Sequence, residues 1–240
     1  MVVRRRLAAT VRHLMPYAQP AGVVSVGAAG GHNMTAPSRS RVPVIESSPI
    51  ITVDGPSGVG KGMVTRGLAR RLPGWHRLDS GALYRVLALS AQHVGLDLDR
   101  FDAIAALAAG LDIRFEGDSE DSEVIVVEGQ DVTAAVRSEA TGGLASRIAA
   151  SGVVRQALLQ RQRDFIGAPG LIADGRDMGT VVFPDATLKI FLTANSDERA
   201  RRRASQLSAR GQAVILSDVS AEIRARDERD RNRSVAPLVP

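Results

Sequence analysis

Cysteine is absent from the 240 residues, which excludes disulfide scaffolds, thiolate zinc sites and cysteine nucleophiles. Histidine occurs only four times, scattered along the chain, too few and too dispersed to build a histidine metal centre. No uninterrupted apolar run approaches the roughly 20 residues that a membrane-spanning helix needs. Aromatic residues make up 3% of the chain, and of 31 basic residues only Lys61 and Lys189 are lysines. That scarcity makes the setting of each lysine informative. With 44% hydrophobic residues there is ample material for a core, in one large domain or two small ones. These shortages describe a soluble protein of a reducing compartment.

The net charge of +5 has to be located before it is interpreted. Residues 1–45 hold six arginines and no acid, which leaves the remaining 195 residues at about −1. The body is nearly neutral, so the basic isoelectric point does not argue for nucleic-acid binding. Residues 1–48 are rich in Pro, Gly, Ser and Ala without sustained periodicity, and we expect a flexible extension there.

From Pro49 onward, short apolar runs alternate with helical patterns. Ile50–Val53 is a β-branched run of the kind found in buried parallel strands. It leads through a glycine-rich turn into a helix that Pro73-Gly74 stops. Further strands are expected at Arg77-Leu78, Leu171–Ala173 and Leu188–Leu192. This pattern predicts an α/β fold, a three-layer core around a parallel sheet. The ninety residues between Ser80 and Leu171 exceed one crossover. They read as an insertion over about 101–170: a helix ending near Leu111, an antiparallel meander of Ile113–Phe115, Val124–Val127 and Val132-Thr133, and one helix from Thr141 to Ile166.

Asp54-Gly55-Pro56-Ser57-Gly58-Val59-Gly60-Lys61-Gly62 carries the G-x-x-x-x-G-K spacing of a phosphate-binding loop, set between strand and helix. Glycines let successive backbone N–H groups converge on one anion, and the helix adds its positive dipole end. Lys61 reaches the β- and γ-phosphates. The hydroxyl residue that usually follows this lysine is replaced by Gly62, and Met63 comes next. Magnesium would therefore be held mainly by phosphates, water and one carboxylate, for which Asp174 is the best-placed candidate. No Asn-Lys-x-Asp element or ABC-type signature is present, so an ATP-dependent phosphoryl transferase remains.

Four stretches, Asp54–Gly62, Leu78–Arg85, Leu171–Asp185 and Arg226–Pro240, resemble bacterial cytidylate (CMP) kinases of the nucleoside monophosphate kinase family. The resemblance implies transfer of the ATP γ-phosphoryl group to CMP or dCMP with Mg²⁺, in a cytoplasmic monomer that needs no nucleic acid or membrane. It implies that Gly55 to Met63 and Arg203 bind ATP, and that Lys61, Arg176 and Arg233 are catalytic. Ser80, Arg85 and Arg176 would hold the acceptor's ribose-phosphate, while Ser146, Arg155 and Asp177 would read the cytosine edge. Arg226, Asp230 and Arg233, at i, i+4 and i+7, would complete the acceptor site. Arg199, Arg202 and Arg203 would begin a mobile lid, with the lid and following helix over about 199–235. A UMP-preferring kinase and an inactive nucleotide-binding fragment are the competing readings.

The resemblance further implies a sheet order 2-3-1-4-5, counting from Ile50–Val53. Family members usually continue past Pro240 into a fifth strand and a covering helix. The expectation is thus a C-terminally truncated kinase domain over 49–240, with strand four left as an open edge.

Overall fold

The computed structural model describes residues 24–27, 48–116, 123–209 and 211–240. Its main sheet is built from β2 (Ile50–Asp54), β3 (His76–Asp79), β7 (Leu171–Gly175), β8 (Leu188–Leu192) and β1 (Val24–Gly27), in the spatial order β3-β7-β2-β8-β1. β2 runs parallel to both its neighbours, with Val53 opposite Asp174 on one side and Ile190 on the other. Ile51, Val53 and Leu171 are fully buried and Ile172 nearly so, as a central strand covered on both faces requires. The α/β class and the order 2-3-1-4 of the four core strands are as expected.

The fifth position differs from expectation. Val24–Gly27, from within the stretch read as a flexible extension, pairs antiparallel with β8, setting Val24 opposite Leu192 and Gly27 opposite Lys189. The outer edge of β8 is therefore covered rather than open, by residues that precede the phosphate loop. The rest of the extension, up to residue 47, lies outside the described residues.

Helix α1 (Lys61–Arg71) follows β2 after a six-residue loop, and α2 (Ser80–His93) starts directly where β3 ends. Leu68 of α1 packs against Ile51, Val53, Ile172 and Ile190. α2 belongs to a larger apolar cluster with the inserted elements α3 (Phe101–Gly110), β4 (Ile113–Glu116), β5 (Val124–Val127) and α4 (Thr133–Val136), while β6 (Gln130–Asp131) is exposed. The antiparallel meander β4-β5-β6 is present, but its third strand lies two residues earlier than predicted. The reason is the tight turn at Glu128-Gly129, both at positive φ (49° and 76°), which pairs Val127 directly with Gln130.

The single helix expected over Thr141–Ile166 is two, α5 (Glu139–Ile148) and α6 (Gly152–Arg163). Ser151 takes an extended conformation between them. Arg155 of α6 reaches back with Nη1 to the Ala149 carbonyl at 3.2 Å, satisfying an acceptor left over at the end of α5. Beyond β8, α7 (Ser196–Ala209) packs on α8 (Leu216–Asn232) through Ala200, Leu207, Val219 and Ile223. After α8 the chain folds back, the Leu238 amide donating to the Asp230 carbonyl at 2.8 Å. The carboxyl ends of β2, β7 and β3 open together into the phosphate loop, Arg176-Asp177 and Ser80. Ligands of open α/β sheets bind at such an edge.

Candidate active site

The phosphate loop is shaped by close backbone approach. At Gly55 (φ 146°) a Cβ would lie 2.3 Å from the Leu192 carbonyl oxygen, and Gly58 adopts φ 72°. Only glycine accepts both conditions cheaply. α1 begins at Lys61, so the Lys61 and Gly62 amides have no carbonyl partner within the helix, while the Met63 amide donates to the Gly60 carbonyl at 3.1 Å. Ser57, Gly58, Lys61 and Gly62 line a cavity of about 380 Å³ together with Arg85, Asp174, Arg176, Arg203 and Arg226. Lys61 donates to the Pro56 carbonyl at 3.2 Å and lies 3.9 Å from Asp174 Oδ1. Burial, reinforced by Arg176 and Arg226, lowers the Lys61 pKa to about 8. Burial also raises Asp174 to about 7.

Met63 and Val59 do not line this cavity; Met63 is 66% exposed and Val59 is buried. Thr65, the hydroxyl nearest the Gly62 position, donates to the Gly62 carbonyl at 3.2 Å and is spent on its own helix. Among the described residues no group of three or more His, Asp or Glu side chains could hold a metal ion alone. Asp174, on the cavity wall, fits a supporting carboxylate for an ion carried chiefly by phosphates.

Next to the loop cavity, Ser80, Ser146, Arg155, Arg176, Asp177, Arg226, Asp230 and Arg233 line one pocket. They arrive from α2, α5, α6, the turn after β7, and α8 with its C-terminal end, so five elements converge. Ser80 donates to Gln162 at 2.8 Å, and Arg229 Nε donates to the Ser146 hydroxyl at 3.3 Å. Arg155 forms a buried ion pair with Asp177, with its guanidinium 5.6 Å above the Tyr84 ring. Arg176 donates to Asp230 Oδ2 at 3.0 Å.

Arg226 Nε and Arg233 Nη2 are buried without a hydrogen-bond partner, as is the Tyr84 hydroxyl. Burial and the neighbouring Arg176 lower Arg226 to about 10, and burial also lowers Arg233. Guanidinium groups gathered in this way repel one another until an anion arrives. Arg85 is held by the Val136 and Ser138 carbonyls at 3.0 and 3.2 Å and faces the loop cavity rather than the inner pocket.

Of the three arginines expected to begin a lid, only Arg203 lines the cavity, and it pairs with Glu139. Arg202 pairs with Glu198 at 2.8 Å on the surface. Arg199 is buried and turned toward Asp227. Sequence reasoning assigned no role to Asp54, Tyr84 or Asp227. Asp54 ends β2 and accepts the Met178 and Gly179 amides, both at 2.8 Å, which fixes the turn carrying Arg176 and Asp177. Its place as the first residue of the glycine-rich motif was the available signal.

A glycine-rich loop at the end of a central parallel strand, its lysine in a cation-lined cavity and a second polar pocket beside it, defines a P-loop phosphotransferase with the nucleoside monophosphate kinase fold. The comparisons narrow this further. The cytidylate kinase family model matches residues 51–240. The chain is 56% identical over 195 residues to a cytidylate kinase of Colwellia psychrerythraea, covering 81% of this chain and 86% of that one. It is 59% identical to the cytidylate kinases of Edwardsiella ictaluri, over 80% of this chain and 84% of that one, and of Stutzerimonas stutzeri, over 82% and 86%. The chain belongs to the cytidylate kinase family.

Proposed function

We propose that this chain transfers the γ-phosphoryl group of ATP to CMP and dCMP, giving CDP or dCDP and ADP. The observation that carries the reading is the pairing of two polar sites. A triphosphate-sized cavity floored by Lys61 and the glycine loop adjoins a pocket in which Arg176, Arg226 and Arg233 face inward beside Asp177 and Asp230.

The acceptor phosphate is already ionised, because a phosphomonoester has its second pKa near 6. An acceptor oxygen attacks the γ-phosphorus, the bond to the β-bridging oxygen breaks, and ADP leaves with that electron pair. No general base is needed. The obstacle is repulsion: one pair of unit charges at 4 Å opposes approach by about 4 kcal/mol at an effective dielectric near 20. Lys61 and the three arginines offset it and stabilise charge on the equatorial oxygens. Mg²⁺, when bound with the nucleotide and supported by Asp174, supplies further charge neutralisation. Arg203, in the middle of α7, would reach the ATP phosphates as the lid closes and water is excluded.

Ser80 and Arg85 would hold the acceptor's sugar-phosphate, with Asp230 at the ribose. Asp177 would accept from cytosine N4 while Arg155 donates to N3 or O2, helped by Ser146. Uracil turns an acceptor, O4, toward Asp177, so CMP is preferred over UMP. We place the enzyme in the cytoplasm as a monomer acting on small molecules; no helix among the described residues is long and apolar enough to cross a membrane. A coupled ADP assay with CMP, dCMP and UMP tests the reading. Turnover with CMP and dCMP well above UMP is expected. A UMP preference overturns the acceptor assignment, and nucleotide binding without turnover overturns the reaction.

A further inference from the structure

Arg199 and Asp227 are 2% and 3% exposed, and neither lines the donor cavity or the acceptor pocket. Arg199 sits in the first turn of α7. Its Nε donates to the Ala194 carbonyl at 3.2 Å, and its Nη1 to Asp227 Oδ1 at 3.1 Å and to the Ser57 carbonyl at 2.8 Å. Nη2 closes a second bond to Asp227 Oδ2. One planar guanidinium thus joins the middle of the phosphate loop to α8, directly beside Arg226 and one turn before Asp230.

The contact with Ser57 has a specific consequence. Across a trans peptide the carbonyl and the following N–H point in opposite directions. Holding the Ser57 oxygen toward Arg199 therefore aims the Gly58 N–H the other way, into the cavity that Ser57 and Gly58 line. The Asp227 end of the same group fixes the rotation of α8, on which the partnerless nitrogens of Arg226 and Arg233 depend for their inward aim. Docking of α7 on α8 does not need the pair, since Ala200, Leu207, Val219 and Ile223 already supply an apolar seam. A buried ion pair is also a poor source of net stability, because desolvation cancels most of its attraction.

We propose that the Arg199–Asp227 pair is a positioning device that couples the donor loop to the acceptor helix, so that a triphosphate in the loop tightens the acceptor pocket. This rests on the two-substrate reading above. Such coupling is reciprocal: each nucleotide raises the affinity of the other by the same factor.

The test is calorimetric titration of CMP into the full chain, with and without a saturating non-hydrolysable ATP analogue, for the parent, Asp227→Asn and Arg199→Lys. In the parent the analogue is expected to tighten CMP binding by about 5-fold or more. Asp227→Asn keeps a hydrogen-bond acceptor but loses the charge. It should bring that ratio to about 1 while each separate Kd moves by less than about 3-fold, and kcat should fall by about 10-fold while the KM for CMP at saturating ATP rises by about the 5-fold that the lost coupling supplied. Arg199→Lys keeps the charge but has a single nitrogen for two partners, and should give an intermediate ratio.

A folded Asp227→Asn protein with the parent's ratio overturns the proposal, as does a parent that binds both nucleotides independently. Loss of both affinities in equal measure, or failure of both variants to fold, assigns the pair a purely structural role and also overturns it. A parent that binds neither nucleotide overturns the function proposed above together with this inference, whereas the other outcomes leave that function standing.

Discussion

Replacing Asp177 by Asn isolates the recognition chemistry from the phosphate chemistry. The residue is 2% exposed and its carboxylate pairs with Arg155; in the function proposed it also accepts from the cytosine amine. A hydrogen bond to a charged group contributes about 1.5–3 kcal/mol, so kcat/KM for CMP should fall by about 10- to 150-fold. With UMP the loss should be smaller or reversed, because the Asn amide can turn its N–H₂ toward O4. The CMP/UMP ratio should therefore drop by about 10-fold or more, while the Kd for ATP changes by less than about 2-fold.

Stability has to be separated from this effect. Arg155 would keep the Ala149 carbonyl and the Tyr84 ring, and the latter contact is worth about 0.5–2 kcal/mol. Removing one partner of a buried pair costs about 3–5 kcal/mol in the worst case. The retained amide oxygen and the ring bring the expected loss to about 2 kcal/mol. Urea unfolding measures that loss, and steady-state kinetics well below the unfolding temperature measures the discrimination. Equal falls for CMP, UMP and ATP would refute the assignment of Asp177 to the base.

Proton linkage supplies a second test. Lys61 has a pKa near 8, and a triphosphate raises it, so ATP binding at pH 8 should draw protons from the buffer. Titrations in two buffers of different ionisation enthalpy read that uptake, which Lys61→Met should abolish; an unchanged uptake would refute the role of Lys61. As pH rises through 8 the unliganded lysine loses its charge and ATP affinity should fall. The partnerless Tyr84 hydroxyl predicts that Tyr84→Phe leaves the unliganded protein as stable or more so, because removing a buried group without a partner is nearly free. CMP affinity should nevertheless fall by about 5-fold if that hydroxyl meets the ligand. Gly55→Ala should cost about 3 kcal/mol or more, since its Cβ meets the Leu192 carbonyl at 2.3 Å; a thermal shift under a few degrees would contradict this.

The core strands and the phosphate loop were legible because burial on two faces demands unbroken apolar runs and because the loop needs glycines at fixed places. The helix break before Ser151 was not, since Ala149-Ala150 favour helix; there the last turn of α5 tightens, the Ala150 and Ser151 amides donating to the Arg147 and Ile148 carbonyls at 3.3 and 3.1 Å. Gln130-Asp131 read as turn because a two-residue edge strand carries no apolar pattern. β1 was missed for the same reason: four residues among alanines and glycines give no signal until β8 lies beside them. At the site, Arg176, Asp177 and the α8 residues were named from the family resemblance, since spacing alone made the α8 charges a solvated face. Spacing alone made Arg155 and Ser146 ordinary helix surface, and Asp227 one charge among many, because the meeting of α6, α7 and α8 is tertiary. Arg199 and Arg203 illustrate the limit. Four residues apart in one helix, one is buried against the loop's far side and the other opens on the cavity.

Asp54 gives the two reactants a common datum. The last residue of β2 launches the loop for one phosphate chain, and its carboxylate grips the amides that anchor the turn for the other. On the function proposed, the loop for the donor and the turn for the acceptor are thereby tied to one side chain, rather than held only through the fold around them.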